Sequence, residues 1–97
     1  MDIMHRAGDI EFEWDARKAR INFEKHGVTF EKATEAFFDP FCQGGDASVG
    51  GEPRSFILGY TLSRRLLLVV HEERPRTLRI ISARAATRAE RMLYEQD

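Results

Sequence analysis

The stretch Leu78–Arg91, LRIISARAATRAER, carries the residues best suited to chemistry in this chain. Arg79, Arg84, Arg88 and Arg91 run through it, with the hydroxyls of Ser82 and Thr87 between them. A guanidinium is planar, permanently charged and able to grip a phosphate or a carboxylate with two parallel hydrogen bonds. Four of them where a strand gives way to a helix suggest an anion-binding wall. The free amides of a helix start add to it. Arg88 and Arg91 are three residues apart, on one side of that helix. Arg54, on an earlier strand, can lie on the same sheet. Such a groove suits an RNA backbone, with the phosphates held by arginine and the single strand splayed. Internal ion pairs could consume the same charges, and that alternative stays open.

Three histidines could move protons. His5 sits in the N-terminal end and is set aside. His26 closes the first helix, where a cation is favoured by the helix dipole. His71 ends a central strand and reads either as an edge-of-core histidine or as a proton-transfer group. Glu72, Glu73 and Arg74 follow it. Strand alternation puts His71 and Glu73 on one face and Glu72 and Arg74 on the other, and the neighbouring strand carries Arg79. One end of this hairpin can therefore gather a carboxylate, an imidazole and guanidiniums, unless it is simply a solvated tip. There is no nucleophile elbow, phosphate-binding loop, HExxH pair or cluster of acids, so neither metal nor cofactor is expected.

The elements that must position these groups follow from periodicity. IEFEW (10–14) alternates apolar and acidic residues, as a strand with one buried face does. Asp15 is a helix N-cap, and ARKARINFEKH runs as a helix to Gly27, with Ala16, Ala19 and Phe23 on one side. Thr29 caps a second helix carrying Phe30, Ala33 and Phe37, which closes before Pro40. Residues 41–52 form a Gly-rich connection with no strand assigned. Three strands at hairpin spacing come next, 54–60, 65–72 and 77–83, and predict an antiparallel meander. Thr87 and Glu90 form a capping box, and the last helix runs to about Gln96 with Met92 and Leu93 inward. The order β-α-α-β-β-β-α predicts an α+β fold, a four-stranded antiparallel sheet with flanking helices. One domain is expected over 1–97, with 1–9 a loose end.

Composition narrows the class. The chain is 42% apolar and 32% charged, in the range of soluble globular proteins. Its longest strongly apolar run, Leu66–Val70, is far too short to cross a bilayer, and no secretory signal is visible. Cys42 is alone, so no internal disulfide forms, and a cytoplasmic location is expected. Charge is divided unevenly. Residues 1–50 carry 6 Lys/Arg and 10 Asp/Glu, whereas residues 51–97 carry 9 and 6, and all nine of those cations are arginine. An arginine-only basic half hints at anion recognition, although a solvated surface explains it as well.

In order and spacing, FEWDARKARINFEKHGVTFEKATEAFFDP, GEPRSFILGY and LLLVVHEERPRTLRIISARAATRAERMLYE resemble the BrnT family of toxins. The resemblance spans Phe12 to Glu95, and KHGV, ERPRTLRIISAR and the closing ATRAER with its YE are its most specific parts. It implies a RelE-like fold and a ribonuclease that needs no metal and halts translation. It implies neutralisation by a BrnA-type ribbon-helix-helix antitoxin in a heterotetramer, with operator DNA reached only through the antitoxin. The family's KHG falls on Lys25, His26 and Gly27, its ER on Glu73 and Arg74, and its RIISAR on Arg79 to Arg84. On this reading Arg79 and Arg84 hold the phosphate, with Arg54 and Arg74 in support and Arg88 and Arg91 along the RNA backbone. Lys25, His26, His71 and Glu73 are the proton-transfer candidates, with no choice among them. The chain departs from the family pattern at Ala85 and Ala89, where basic residues are usual, which weakens phosphate binding. The alternative function is a non-catalytic module that binds RNA, the ribosome or the antitoxin.

Overall fold

The computed structural model describes residues 1–96. Among these, three helices pack with six strands in the order β1 (Asp2–Ala7), β2 (Ile10–Asp15), α1 (Ala16–His26), α2 (Phe30–Ala36), β3 (Gln43–Asp46), β4 (Ser55–Tyr60), β5 (Leu66–Glu73), β6 (Leu78–Ala85) and α3 (Arg88–Glu95). The fold is α+β as expected, but the sheet has six strands, ordered β1-β2-β6-β5-β4-β3. It is mixed, because β2 runs parallel to β6 while every other pair is antiparallel.

The two extra strands are the edges. The segment read as a loose end is β1, paired with β2 from Asp2↔Asp15 to Ala7↔Ile10. Its sequence, DIMHRA, lacks a strong apolar alternation, and its register is supplied by the partner strand. The Gly-rich connection contains β3, whose residues QGGD carry no strand propensity. Pairing with β4 imposes extension there, and Gly45 has a steric reason: a Cβ on it would fall 2.5 Å from the Phe56 ring.

Local signals hold at the helix starts. Asp15 accepts the Lys18 amide at 3.0 Å and Thr29 accepts the Lys32 amide at 3.1 Å. Gly27 ends α1 at φ 68°, a left-handed conformation that costs glycine little. Thr87 and Glu90 make the reciprocal capping box of α3.

Helices α1 and α2 cover one face of the sheet. Phe12, Trp14, Leu67, Val69, Ile80 and Ala83 lie under them, sealed by Val28, Phe30, Ala33 and Ala36. Gly59 lets α2 approach, since a Cβ there would lie 2.3 Å from the Ala36 carbonyl oxygen. Two helix faces differ from expectation. In α1 the buried residue is Asn22, while Phe23 is exposed. The Asn22 side chain donates to the carbonyls of Ala83 (2.8 Å) and Val28 (3.1 Å) and accepts from the Ala83 amide (3.0 Å). It pairs with the edge of β6 as a neighbouring strand would, where β2 no longer reaches. In α3, Met92 and Leu93 are 58% and 57% exposed rather than inward. That helix is held by polar contacts, among them Tyr94 to Asp39 and Arg91 to Tyr60.

Candidate functional site

The other face of the sheet gathers the arginines. It is the face of Phe56, Leu58 and Tyr60 on β4, because the alternate residues Ile57 and Gly59 turn toward the core and α2. Pairing then fixes the rest: Val70 faces Phe56 and Ser82, Leu68 faces Leu58 and Arg84, and Glu72 faces Arg79. Helix α3 lies over the Tyr60 end, where the Tyr60 and Tyr94 rings meet at 5.3 Å and Leu58 and Leu66 are buried.

A β-bulge decides this assembly. Arg79 and Arg84 are five apart, so a regular strand would point them to opposite faces. The register slips between Val70 and His71: Val70 pairs with Ser82 and His71 with Ile80, which leaves Ile81 as the extra residue. Alternation is thereby reset. Ile80 and Ala83 both enter the core, and Arg79 and Arg84 both reach the open face.

At one end of that face Arg79, Arg74 and Arg54 interleave with four carboxylates. Arg79 donates to Glu13 at 2.6 Å and to Asp2 at 3.2 Å. Arg74 lies 3.6 Å from Glu13 and donates to Glu72 at 3.2 Å. Arg54 donates to Glu52 at 3.1 Å, and its buried Nε faces Glu72 only at 3.7 Å, without a hydrogen bond. Glu13 is the hub. It is 12% exposed, and its second oxygen accepts the Thr77 hydroxyl at 2.6 Å. The Thr77 hydroxyl, then Arg79 and Arg74, hold its carboxyl below the usual range against the opposing effect of burial. The carboxylates of Asp2 and Glu13 push the Arg79 guanidinium up in turn. Three arginines against four carboxylates give this end no positive excess. An incoming phosphate must therefore exchange with a carboxylate, and Asp2 and Glu52, exposed and each paired with a single arginine, are the most loosely held.

At the other end Arg84 makes a bidentate pair with Glu90, both bonds 2.8 Å. Glu90 also accepts the Thr87 amide at 2.8 Å, so one carboxylate caps α3 and fixes Arg84. Its pKa falls to about 2, chiefly through Arg84. Arg91 donates to the Tyr60 hydroxyl at 2.9 Å, and Arg88 is exposed on the same helix.

The remaining candidates lie elsewhere. His71 is 4% exposed on the core face, 5.0 Å edge-on from Phe37. Burial lowers its pKa and keeps the ring neutral at pH 7. Its Nδ1 is buried without a hydrogen-bond partner. Glu73 shares the side of His71 and is exposed at the hairpin tip, so the imagined meeting of imidazole and guanidiniums does not occur. Lys25 and His26 line a separate cleft of about 200 Å³ between α1 and β6, with Lys18, Ile21 and Ser82. Among the described residues no three His, Cys, Asp or Glu side chains gather as metal ligands would. Glu13 escaped the sequence reading because it appeared only as the polar half of an amphipathic strand. Its value depends on β6 lying beside it.

The sequence matches the family model described as ribonuclease toxin, BrnT, of type II toxin–antitoxin system, over residues 14–90. The chain belongs to the BrnT family. The family assignment makes it a ribonuclease toxin of a type II system, with RNA as substrate and an antitoxin as counterpart. The crystal structure of the Brucella abortus ribonuclease toxin BrnT shares the fold, with a TM-score of 0.59 at 23% identity over 77% of this chain and 94% of that one. No curated protein matches the sequence. The BrnT match includes both partners of the Arg84–Glu90 pair, but starts one residue after Glu13, the hub of the Arg79 group.

Proposed function

We propose that this BrnT protein is a metal-independent endoribonuclease that cleaves RNA through its own 2′-hydroxyl and so inhibits translation. The observation that carries the proposal is the gathering of Arg54, Arg74, Arg79 and Arg84 on one open sheet face, made possible by the bulge at Ile81. In this reading the 2′-oxygen attacks the adjacent phosphorus, the bond to the 5′-oxygen breaks, and a cyclic phosphate and a 5′-hydroxyl result. One group takes the 2′ proton and another protonates the leaving oxygen. Arg79 and Arg84 stabilise the charge on the phosphoryl oxygens, and Arg54 and Arg74 support them. Arg88 and Arg91 follow the flanking backbone.

Burial of His71 on the far face argues against it as the base. Glu72 and Glu13 share the arginine face and are nearer than Glu73, Lys25 or His26. Glu13, held ionised by Thr77 and Arg79, is a weak base, so positioning supplies much of the rate. The proposal extends to one toxin domain over 1–97, a RelE-like arrangement and action in the cytoplasm. It includes a BrnA-type ribbon-helix-helix antitoxin in a heterotetramer that alone contacts operator DNA. One observation favours a second reading, an antitoxin-binding module without catalysis: the arginines already hold carboxylates, as they would hold an acidic antitoxin segment.

Cleavage of labelled RNA in EDTA by the parent protein, Arg79→Ala and Arg84→Ala tests this, with folding checked by circular dichroism. The expected result is cleavage by the parent, a loss of roughly 100-fold or more in each folded variant, and none of a 2′-deoxy substrate. Cleavage that needs added Mg²⁺, or that survives both substitutions, overturns the mechanism. RNA bound but never cut selects the second reading.

A further inference from the structure

Between the two arginine groups the open face is not charged. Its middle row is Phe56, Val70 and Ser82, paired across β4, β5 and β6. The Glu72–Arg79 row lies on one side and the Leu68–Arg84 row on the other, each about 7 Å away at two residues of strand rise. Phe56 is half-buried and lies outside the core cluster under α1 and α2. Its ring leans over β3, where Gly45 supplies the space; any larger residue would collide with it. A glycine in a strand is unfavourable, so this edge gives up strand propensity to make room for one aromatic ring beside Gly45.

We propose that Phe56 is the stacking platform for an RNA base, set between the arginine groups that hold the flanking phosphates. The proposal rests on the ribonuclease reading and adds a base subsite to it. Single-stranded nucleic acids are held by this combination, arginines on the backbone and an aromatic ring beneath a base. Stacking is tolerant of base identity, because every base has a π face.

The test uses the full chain and a short single-stranded 2′-O-methyl RNA, which binds but lacks the attacking hydroxyl. Anisotropy is measured for the parent, Phe56→Leu and Phe56→Trp across a salt series. Phe56→Leu is expected to weaken binding about tenfold or more with an unchanged salt slope, while Phe56→Trp keeps the affinity. The new indole is also expected to lose emission saturably as RNA is added, above the steady signal of buried Trp14. Parent binding with equal affinity in a folded Phe56→Leu, or a Phe56→Trp emission indifferent to bound RNA, overturns the stacking proposal alone. A Phe56→Leu that fails to fold leaves the indole signal to decide. Failure of the parent to bind any RNA overturns the ribonuclease reading, and the platform with it.

Discussion

The two faces of the sheet solve the problem of polar groups in opposite ways. On the covered face, polar side chains serve the backbone or are kept neutral. Asn22 replaces a missing strand partner for Ala83, and His71 is held uncharged by burial. On the open face, charge is kept and balanced, each arginine of the cluster against a carboxylate. Apolar burial under α1 and α2 supplies stability, and the open face holds its charges in fixed geometry without contributing comparably. Partial exposure keeps such pairs weak in net energy but oriented.

Stability measurements can break or sharpen that contrast. Phe12→Ala, at a fully buried position, is expected to cost about 3–5 kcal/mol in denaturant melts. Val70→Ala, half-buried on the open face, is expected to cost about 1 kcal/mol; equal losses would erase the distinction. Asn22→Ala strands the Ala83 amide and carbonyl in the interior and is expected to cost about 2–3 kcal/mol. A loss below that of an ordinary exposed helix substitution would show that water replaces the side chain.

Acid titration separates the faces by pH. The folded pKa of Glu90 is depressed to about 2 from 4.5, so its contribution is full above pH 4.5 and is lost as pH falls toward 2. Arg84→Ala should flatten that limb of the stability curve. His71 is also depressed, from 6.5, so the neutral ring favours folding above that pH and stability falls as the solution is acidified through it. His71→Leu should remove this earlier limb and leave the Glu90 limb intact. The smallest expected effect is Thr87→Ala, about 1 kcal/mol through the cap of α3. Protection of α3 amides in hydrogen exchange reports it before a global melt does.

The fold was legible where short-range physics governs. Asp15, Thr29, Thr87 and Glu90 announced three helix starts, and the spacing of residues 54–83 announced the meander. Both edge strands were missed, since DIMHRA and QGGD extend only because a neighbour pairs with them. The α3 face was misread because Met92 and Leu93 suggested burial, whereas Tyr94, Glu90 and Arg91 make the tertiary contacts. Of the site, the arginines were visible as residues, and two carboxylates with them, Glu72 on the strand face of Arg74 and Glu90 as a cap. Glu13 was not, being 66 residues from the Arg79 it holds.

By itself the sequence determined the helix caps, the three-strand meander, the arginine-rich second half and the resemblance to the BrnT family. Each is carried by residues within a few positions of one another, where backbone geometry is fixed by local sterics and hydrogen bonds. Only the tertiary structure decided that Arg79 and Arg84 share a face. That depends on one slipped residue at Ile81, and a strand's register is set by its partners and by what the core can accept.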